Sequence, residues 1–466
     1  MPDWLKLYHR SPYPLRALVA GGRGMYLRWW RYGRATQALM EQALEREHWS
    51  AERWQRWQEE RLAYLLQRAA ERVPFYRQQW QQRRRQGDRA AVDRLENWRV
   101  LEKETLRQNP RLFLADDCDP RRMFADHTSG TSGTPLTVWL SRQSVQTWYA
   151  WFEARWRGWY GVSRFDRWGI LGGQLVTPVE QQQPPFWVWN APLKQLYLSS
   201  YHLSPANIPA YLEAIRRYRL VYLWGYTSSL YALAHEALRL GVRLPLRVVI
   251  SNAEPVFEHQ RQAIEAAFVC PLRETYGLSE AVAAASECEA GRLHLWPEAG
   301  LVEVFEGEAP APPGAVGDLV CTGLFNPDMP LIRYRVGDRG ALALPDERCP
   351  CGRTLPLLAR LEGRADDVLL TRDGRRIGRL DPVFKADMPI VEAQIIQESL
   401  ERVRIRYVPA AGYTPQVGEL MAERLRQRMG AVEVLLEAVD QVPRQPNGKF
   451  RAVVSLLERR PTSPEA

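Results

Sequence analysis

The stretch Thr128-Ser129-Gly130-Thr131-Ser132-Gly133-Thr134-Pro135 decides how this chain is read. It is rich in glycine and hydroxyls, carries no charge, and lies between Phe124-Ala125-Asp126-His127 and the strand-like run Leu136–Leu140. Glycine lets backbone N–H groups approach an anion closely, and serine and threonine add hydroxyl donors, so such a loop suits phosphate oxygens. It is not a nucleotide P-loop, because no Gly-Lys-Ser/Thr closes it and no helical pattern follows at once. Taken alone, it also reads as a surface hairpin turn.

Four further motifs follow in order: Tyr276-Gly277-Leu278-Ser279-Glu280, Arg333-Tyr334-Arg335-Val336-Gly337-Asp338, Gly363-Arg364-Ala365-Asp366-Asp367 and Asn447-Gly448-Lys449. With the loop, they resemble the adenylate-forming superfamily of acyl-CoA ligases, luciferases and adenylation domains. Within it the chain is similar to the phenylacetate–CoA ligase branch and to its CapK-like relatives associated with capsular polysaccharide. The resemblance runs from about Leu101 to Lys449. It implies an α/β fold with a large N-terminal domain of mixed and parallel sheets plus a β-rich subdomain, residues 1–365, and a small mobile α+β C-terminal domain, residues 366–466.

The resemblance also implies roles. Thr128, Ser129, Gly130, Thr131, Ser132 and Gly133 would meet the β- and γ-phosphates of ATP, and Tyr276, with Gly277 and Ser279, the adenine or substrate. Glu280 would ligate Mg²⁺, a hard cation that prefers oxygen, although a surface glutamate is the plainer reading. Ala253-Glu254-Pro255 would hold adenine through the backbone, leaving little for their side chains to do. Arg364 would reach the nucleotide and Asp366 would be the hinge about which the C-terminal domain turns. Coenzyme A would be the acyl acceptor.

Other assignments come from the residues themselves. An ionised Asp338 can accept both ribose hydroxyls in charge-assisted hydrogen bonds; it could equally pair with Arg335 or Arg339. The turn Pro446-Asn447-Gly448 can project Lys449 into a distant cleft, where a point charge stabilises charge developing at the α-phosphate. Many superfamily members carry lysine where this loop has Thr134, so Arg142 or Arg335 is expected to meet part of the triphosphate charge. Cys288, His294, Cys349 and Cys351 form two local pairs whose soft ligands match a closed tetrahedral zinc site. Cys118, Cys270 and Cys321 read as core. Trp224, Gly225 and Tyr226, at the end of an expected strand, are candidates for the acid pocket. Seven of the 18 tryptophans fall between Trp148 and Trp189, which fits either an apolar acyl pocket or core packing.

Pattern supports the fold class. Apolar runs at Leu220–Trp224 and Leu246–Ser251 alternate with helical stretches at Pro205–Tyr218 and Ser228–Leu240, which predicts a largely parallel sheet. Residues 1–100 read as mainly helical, with a break at Val73-Pro74. They hold 20 Lys+Arg against 11 Asp+Glu, an excess of nine equal to the whole-chain net charge of +9. This basic region is rich in tryptophan and either packs on the body or rests weakly on anionic lipid headgroups. Nucleic acid is not expected, because no binding motif accompanies the charge. Six cysteines without a small secreted framework suggest a reducing cytoplasm, and Arg16 and Arg23 make Leu15–Met25 a poor signal peptide.

The expected activity is ATP- and Mg²⁺-dependent activation of an apolar or aromatic carboxylic acid as its acyl-adenylate, followed by transfer to coenzyme A. An amine, a sugar or a carrier protein is the alternative acceptor. An inactive nucleotide-binding scaffold is the rival from another class.

Overall fold

The computed structural model describes residues 3–127, 136–178, 180–364, 369–372, 376–377, 383, 388–444 and 450–457. The expected phosphate loop, the hinge Asp366 and Lys449 lie outside the described residues. Of Arg364 only the backbone is considered.

The first hundred residues form five helices: α1 (Asp3–Arg10), α2 (Tyr13–Arg31), α3 (Thr36–Arg46), α4 (Ala51–Arg72) and α5 (Pro74–Arg85). The Ser50 side chain caps α4 by accepting from the Arg53 amide. Pro74 opens α5, a position where a missing N–H costs nothing. The helix α6 (Lys103–Gln108) follows, then the antiparallel hairpin of β1 (Phe124–His127) and β2 (Thr137–Leu140), which brackets the glycine and hydroxyl stretch. Helix α7 (Arg142–Trp151) continues into a π-helical turn over Phe152–Arg157.

Thirteen strands make the main sheet. In chain order they are β3 (Trp168–Gly172), β4 (Trp187–Asn190), β5 (Gln195–Ser199), β6 (Tyr222–Tyr226), β7 (Val248–Asn252), β8 (Leu272–Gly277), β9 (Ala284–Glu287), β10 (Leu293–Leu295), β11 (Gly300–Glu306), β12 (Ala309–Pro310), β13 (Gly317–Gly323), β14 (Tyr334–Leu342) and β15 (Leu357–Arg364). Their spatial order is β12-β11-β13-β14-β15-β10-β9-β8-β7-β6-β3-β5-β4. Only the run β8-β7-β6-β3-β5 is parallel. There the helices α8 (Ile208–Arg217), α9 (Thr227–Arg239) and α10 (Glu258–Phe268) provide the crossovers that parallel pairing requires. Past β8 the connections shorten and the sheet turns antiparallel, so the sheet is mixed rather than largely parallel.

The C-terminal residues build a separate unit with its own core. It contains β16 (Leu369–Leu370), β17 (Arg376–Ile377), β18 (Ile390–Gln397), β19 (Arg402–Pro409), α11 (Pro415–Met429), β20 (Glu433–Ala438) and β21 (Val453–Ser455). A four-stranded sheet, β20-β19-β18-β21, packs Ile395, Val403 and Ile405 against Met421 and Leu425 of α11.

Most of the tryptophan-rich segment is packing. Trp151, Trp156 and Trp168 are buried in one aromatic core with Trp30, Trp224 and Trp296, between the sheet and the N-terminal helices. Of the three cysteines expected in the core, Cys321 is fully buried but Cys118 and Cys270 are half-buried.

Candidate functional site

Three parallel strands end side by side and carry three of the sequence motifs past their C-terminal ends: Tyr226 from β6, Ala253-Glu254-Pro255 after β7 and Tyr276–Glu280 from β8. Ligands gather at this edge of an open α/β sheet. Two of the turns hold non-glycine residues at positive φ, Ala253 at 63° and Ala281 at 54°. Such strain persists where surrounding structure imposes it, and it clusters at binding sites.

β14 contributes the opposing wall. Tyr334 and Asp338 occupy buried positions of its alternating pattern. The Tyr276 hydroxyl donates to Asp338 Oδ2 at 2.9 Å. Burial, reinforced by the Asp338 charge, pushes the Tyr276 phenol well above its ordinary range, so it remains a donor. Arg335 and Arg339, the alternative partners for Asp338, both pair with Asp318 instead. Asp338 faces Arg364 across the β14–β15 pair, which puts the Gly-Arg motif next to the expected ribose site.

Glu280 is buried, at 6% exposure. Its Oε1 accepts from the Tyr334 hydroxyl at 2.8 Å and from Lys103 Nζ at 2.9 Å. A buried carboxylate needs a compensating charge, and here Lys103 supplies it. Lys103 arrives because Leu101 bridges to β14: the Leu101 amide donates to the Arg333 carbonyl at 2.8 Å and the Leu101 carbonyl accepts from the Arg335 amide at 3.0 Å. Nothing in the local sequence around Lys103 marks it, since the contact spans 177 residues.

The Glu254 side chain does more than the sequence reading allowed. Its Oε2 accepts from the Ser228 amide, in the first turn of α9, at 2.8 Å. Its Oε1 accepts from the amide of Phe450 at 2.8 Å. Phe450 immediately follows Lys449, so the turn after β7 holds the C-terminal unit at the residue next to the expected catalytic lysine. Burial raises the Glu254 carboxyl above the usual glutamate range, opposed by these two N–H groups.

The expected pocket residues divide. The Trp224 ring stacks on Phe152 at 4.8 Å and is core. Gly225 lies so close to β3 that a Cβ there would come within 2.7 Å of the Leu171 carbonyl oxygen. Tyr226 is half-buried, and burial together with nearby Glu254 pushes its phenol up to about 12. Gly277 leaves room for Trp156, whose ring a Cβ would meet at 2.7 Å. Ser279 is in the turn before Glu280. The two arginines expected to meet phosphate charge have other partners: Arg142 lies 3.9 Å over the Trp29 ring, and Arg335 is held by Glu102 and Asp318.

Farther along the same sheet, at β9, β10 and the loop before β15, Cys288, His294, Cys349 and Cys351 converge, with one ligand atom from each inside a 4.8 Å span. Cys288 Sγ lies 3.5 Å from Cys349 Sγ, and Cys351 Sγ lies 3.4 Å from His294 Nε2. His294 Nδ1 is 3.2 Å from the Leu355 carbonyl oxygen, which fixes Nδ1 as the protonated nitrogen and turns Nε2 toward the thiols. Burial lowers the imidazole to about 4, keeping it neutral. Burial raises Cys349 to about 12; Cys351 is lowered, because hydrogen bonds from Arg353 outweigh its burial. Three thiols and a neutral imidazole suit a soft tetrahedral cation.

The CapK C-terminal domain family matches residues 369–456. Protein CapK of Staphylococcus aureus is 23% identical over 388 residues, 80% of this chain and 82% of that protein. The phenylacetate-coenzyme A ligase of Thermus thermophilus is 27% identical over 451 residues, 86% of this chain and 96% of that one. Residues 369–456 thus carry the CapK C-terminal domain, and most of the chain is similar to CapK and to phenylacetate–CoA ligases. That similarity supports an AMP-forming ligase. The fold agrees: a crystal structure of 2-hydroxyisobutyryl-CoA ligase in its postadenylation state superposes with a TM-score of 0.66 at 19% identity, covering 88% of this chain and 91% of that one. The same enzyme in its thioesterification state gives 0.53 over equal shares of the two chains.

Proposed function

We propose that this protein activates an apolar or aromatic carboxylic acid with ATP as an acyl-adenylate, releasing pyrophosphate, and then transfers the acyl group to coenzyme A. The observation that carries this reading is the Phe450–Glu254 hydrogen bond, which brings the residue after Lys449 to the adenine turn while Tyr276 and Asp338 stand ready at the neighbouring strand. Asp338 takes the ribose hydroxyls. Lys449 places its ammonium against the α-phosphate as charge develops there. The Thr128–Gly133 stretch meets the β- and γ-phosphates. Arg364 contacts the nucleotide, and Asp366 is the hinge between a domain of residues 1–365 and one of residues 366–466. Tyr226, at the mouth of β6, orients the acid.

Glu280 fits a divalent ion. A buried carboxylate that now holds an ammonium can take Mg²⁺ in its place, and Mg²⁺ would neutralise phosphate charge. Lys103 would then be released toward the phosphates. The Cys288, His294, Cys349 and Cys351 set fits Zn²⁺ as a structural ion.

The test is ATP–pyrophosphate exchange across a panel of aliphatic and aromatic acids, followed by mass spectrometry with coenzyme A. An acid-dependent exchange and a CoA thioester are expected. No exchange with any acid would overturn the reading. An acyl-adenylate that persists with coenzyme A but is consumed by an amine, a sugar or a carrier protein would reassign the acceptor.

A further inference from the structure

Helix α2 presents an apolar face to the outside. Leu15, Leu18, Val19, Met25, Tyr26 and Trp29 are all exposed, Leu18 by 70% and Met25 by 65%. Their spacing of three, four, ten, eleven and fourteen residues from Leu15 puts them on one side of a helix, over about 20 Å at 1.5 Å per residue. Single exposed apolar side chains are ordinary, but a contiguous stripe marks an interaction surface.

The stripe is not a frayed element awaiting its own core, because the other side of the helix is already docked. Arg16, Gly24 and Trp30 are buried. Arg16 Nη1 donates to Thr177 Oγ1 at 2.8 Å, and Trp30 packs edge-on against Phe124. At Gly24 the helix comes so close to edge strand β4 that a Cβ would lie 2.0 Å from Asn190 Oδ1. Covering this sheet edge turns the apolar stripe outward.

Charge selects the partner. From Trp4 to Met40 the chain has seven basic residues (Lys6, Arg10, Arg16, Arg23, Arg28, Arg31 and Arg34) and no Asp or Glu. Arg10, Arg23, Arg28 and Arg34 are exposed. In the last turn of α2, Arg28 and Arg31 line a cleft with Arg164 and Lys194. A second copy of this chain would oppose like charges across such a face. An anionic bilayer offers both an apolar layer and phosphate groups at its surface.

We propose that α2 docks shallowly on an anionic phospholipid surface, with its Leu15–Trp29 stripe in the headgroup–acyl boundary and its arginines on lipid phosphates. Among the described residues no helix is long and apolar enough to cross a membrane, so the contact is peripheral. Screening acts within about 8 Å at physiological ionic strength, which makes the contact reversible by salt. The inference does not depend on the proposed activity.

Flotation of the full chain with extruded vesicles tests it, comparing pure phosphatidylcholine with phosphatidylcholine mixed with phosphatidylglycerol. Binding to the anionic vesicles is expected to exceed that to neutral ones by about tenfold or more, and to be lost in high salt. Two double variants separate the causes: Leu18→Ser with Met25→Ser, and Arg23→Glu with Arg28→Glu. Each should lose about tenfold in vesicle binding while keeping the thermal midpoint, since the residues are exposed. Equal binding to both vesicle types, no binding to either, or unchanged binding by both variants would overturn the proposal. A dimer in light scattering that Leu18→Ser with Met25→Ser abolishes, in protein that does not float, would assign the face to a second copy. Flotation only in the presence of a soluble acidic protein would assign it to that protein.

Discussion

One sheet carries two unlike clusters of side chains. At one end, β8 and β14 deliver Tyr276, Glu280 and Asp338 to a polar cleft, where a lysine brought from 177 residues away balances Glu280. At the other, β9, β10 and the loop before β15 deliver three cysteines and a histidine whose ligand atoms lie within 4.8 Å of one another. The first end is made of hard oxygen ligands, strained turns and a hydrogen bond to a second domain. The second is a closed set of soft ligands that can saturate one ion without any outside group. Polar groups that depend on exchangeable partners are suited to turnover; a closed Cys₃His set is suited to holding a fold. Substitutions at the two ends should therefore separate chemistry from stability.

The largest separation is expected at Lys449. Lys449→Ala should lower adenylation by about 10²–10³ in kcat with an unchanged thermal midpoint, because the ammonium acts on transition-state charge. Thioester formation from preformed acyl-adenylate should survive. Equal losses in both half-reactions would remove Lys449 from an adenylation-specific role.

Glu280→Gln should follow, with acid-dependent pyrophosphate exchange down by about tenfold to a hundredfold and a raised Mg²⁺ requirement. It also strips Lys103 of its countercharge, so Lys103→Met is the control. The control should leave the Mg²⁺ dependence of exchange in place. If Lys103→Met and Glu280→Gln shift the Mg²⁺ requirement alike, the carboxylate serves the lysine and not the metal.

At the closed end the order reverses. Cys351→Ser should lose bound zinc and several degrees of thermal midpoint, while the folded fraction keeps its adenylation rate within about twofold. Wild-type protein purified without chelator should carry about one zinc per chain. Finding none by elemental analysis would leave four packed side chains and no metal centre.

What the sequence made legible follows the locality of each signal. The helix at Ser228–Leu240 is readable because periodicity is local, and it appears as α9 within one residue. The pairing of Cys288 and His294 with Cys349 and Cys351 was readable because each half is itself a short motif. Lys103 was not, because only the Leu101 bridge to β14 brings it to Glu280. The Glu254 side chain was also missed. A backbone role was assigned to its turn, and the amide of Phe450 lies 196 residues away.

Glu254→Ala should loosen the hold on Phe450 and lower the adenylation rate several-fold, by about 1–2 kcal/mol for a charge-assisted hydrogen bond. Thioester formation, which follows rotation about the hinge, should change less. A matching fall in both half-reactions would make Glu254 a residue of general stability. Glu254→Gln, which retains a carbonyl acceptor, should recover part of the loss.

The smallest effect is expected between the two ends, where Glu274 of β8 sits beside Glu287, the neighbour of Cys288. Burial, aided by the Glu287 charge, raises Glu274 to about 7, and Arg261 at 2.6 Å opposes the rise. In the unfolded chain a glutamate ionises near 4.3. Below about 4.3 both states are protonated and the contribution of the folded-state preference is complete; it falls as pH rises and is lost on passing about 7. Partial exposure screens the effect, so about 1 kcal/mol is expected rather than the full shift. Glu274→Gln cannot titrate. The wild-type thermal midpoint should therefore fall relative to that of Glu274→Gln between pH 5 and pH 8, with zinc content unchanged throughout. Parallel midpoints across that range would show that Arg261 keeps Glu274 ionised and that β8 carries no proton between its two ends.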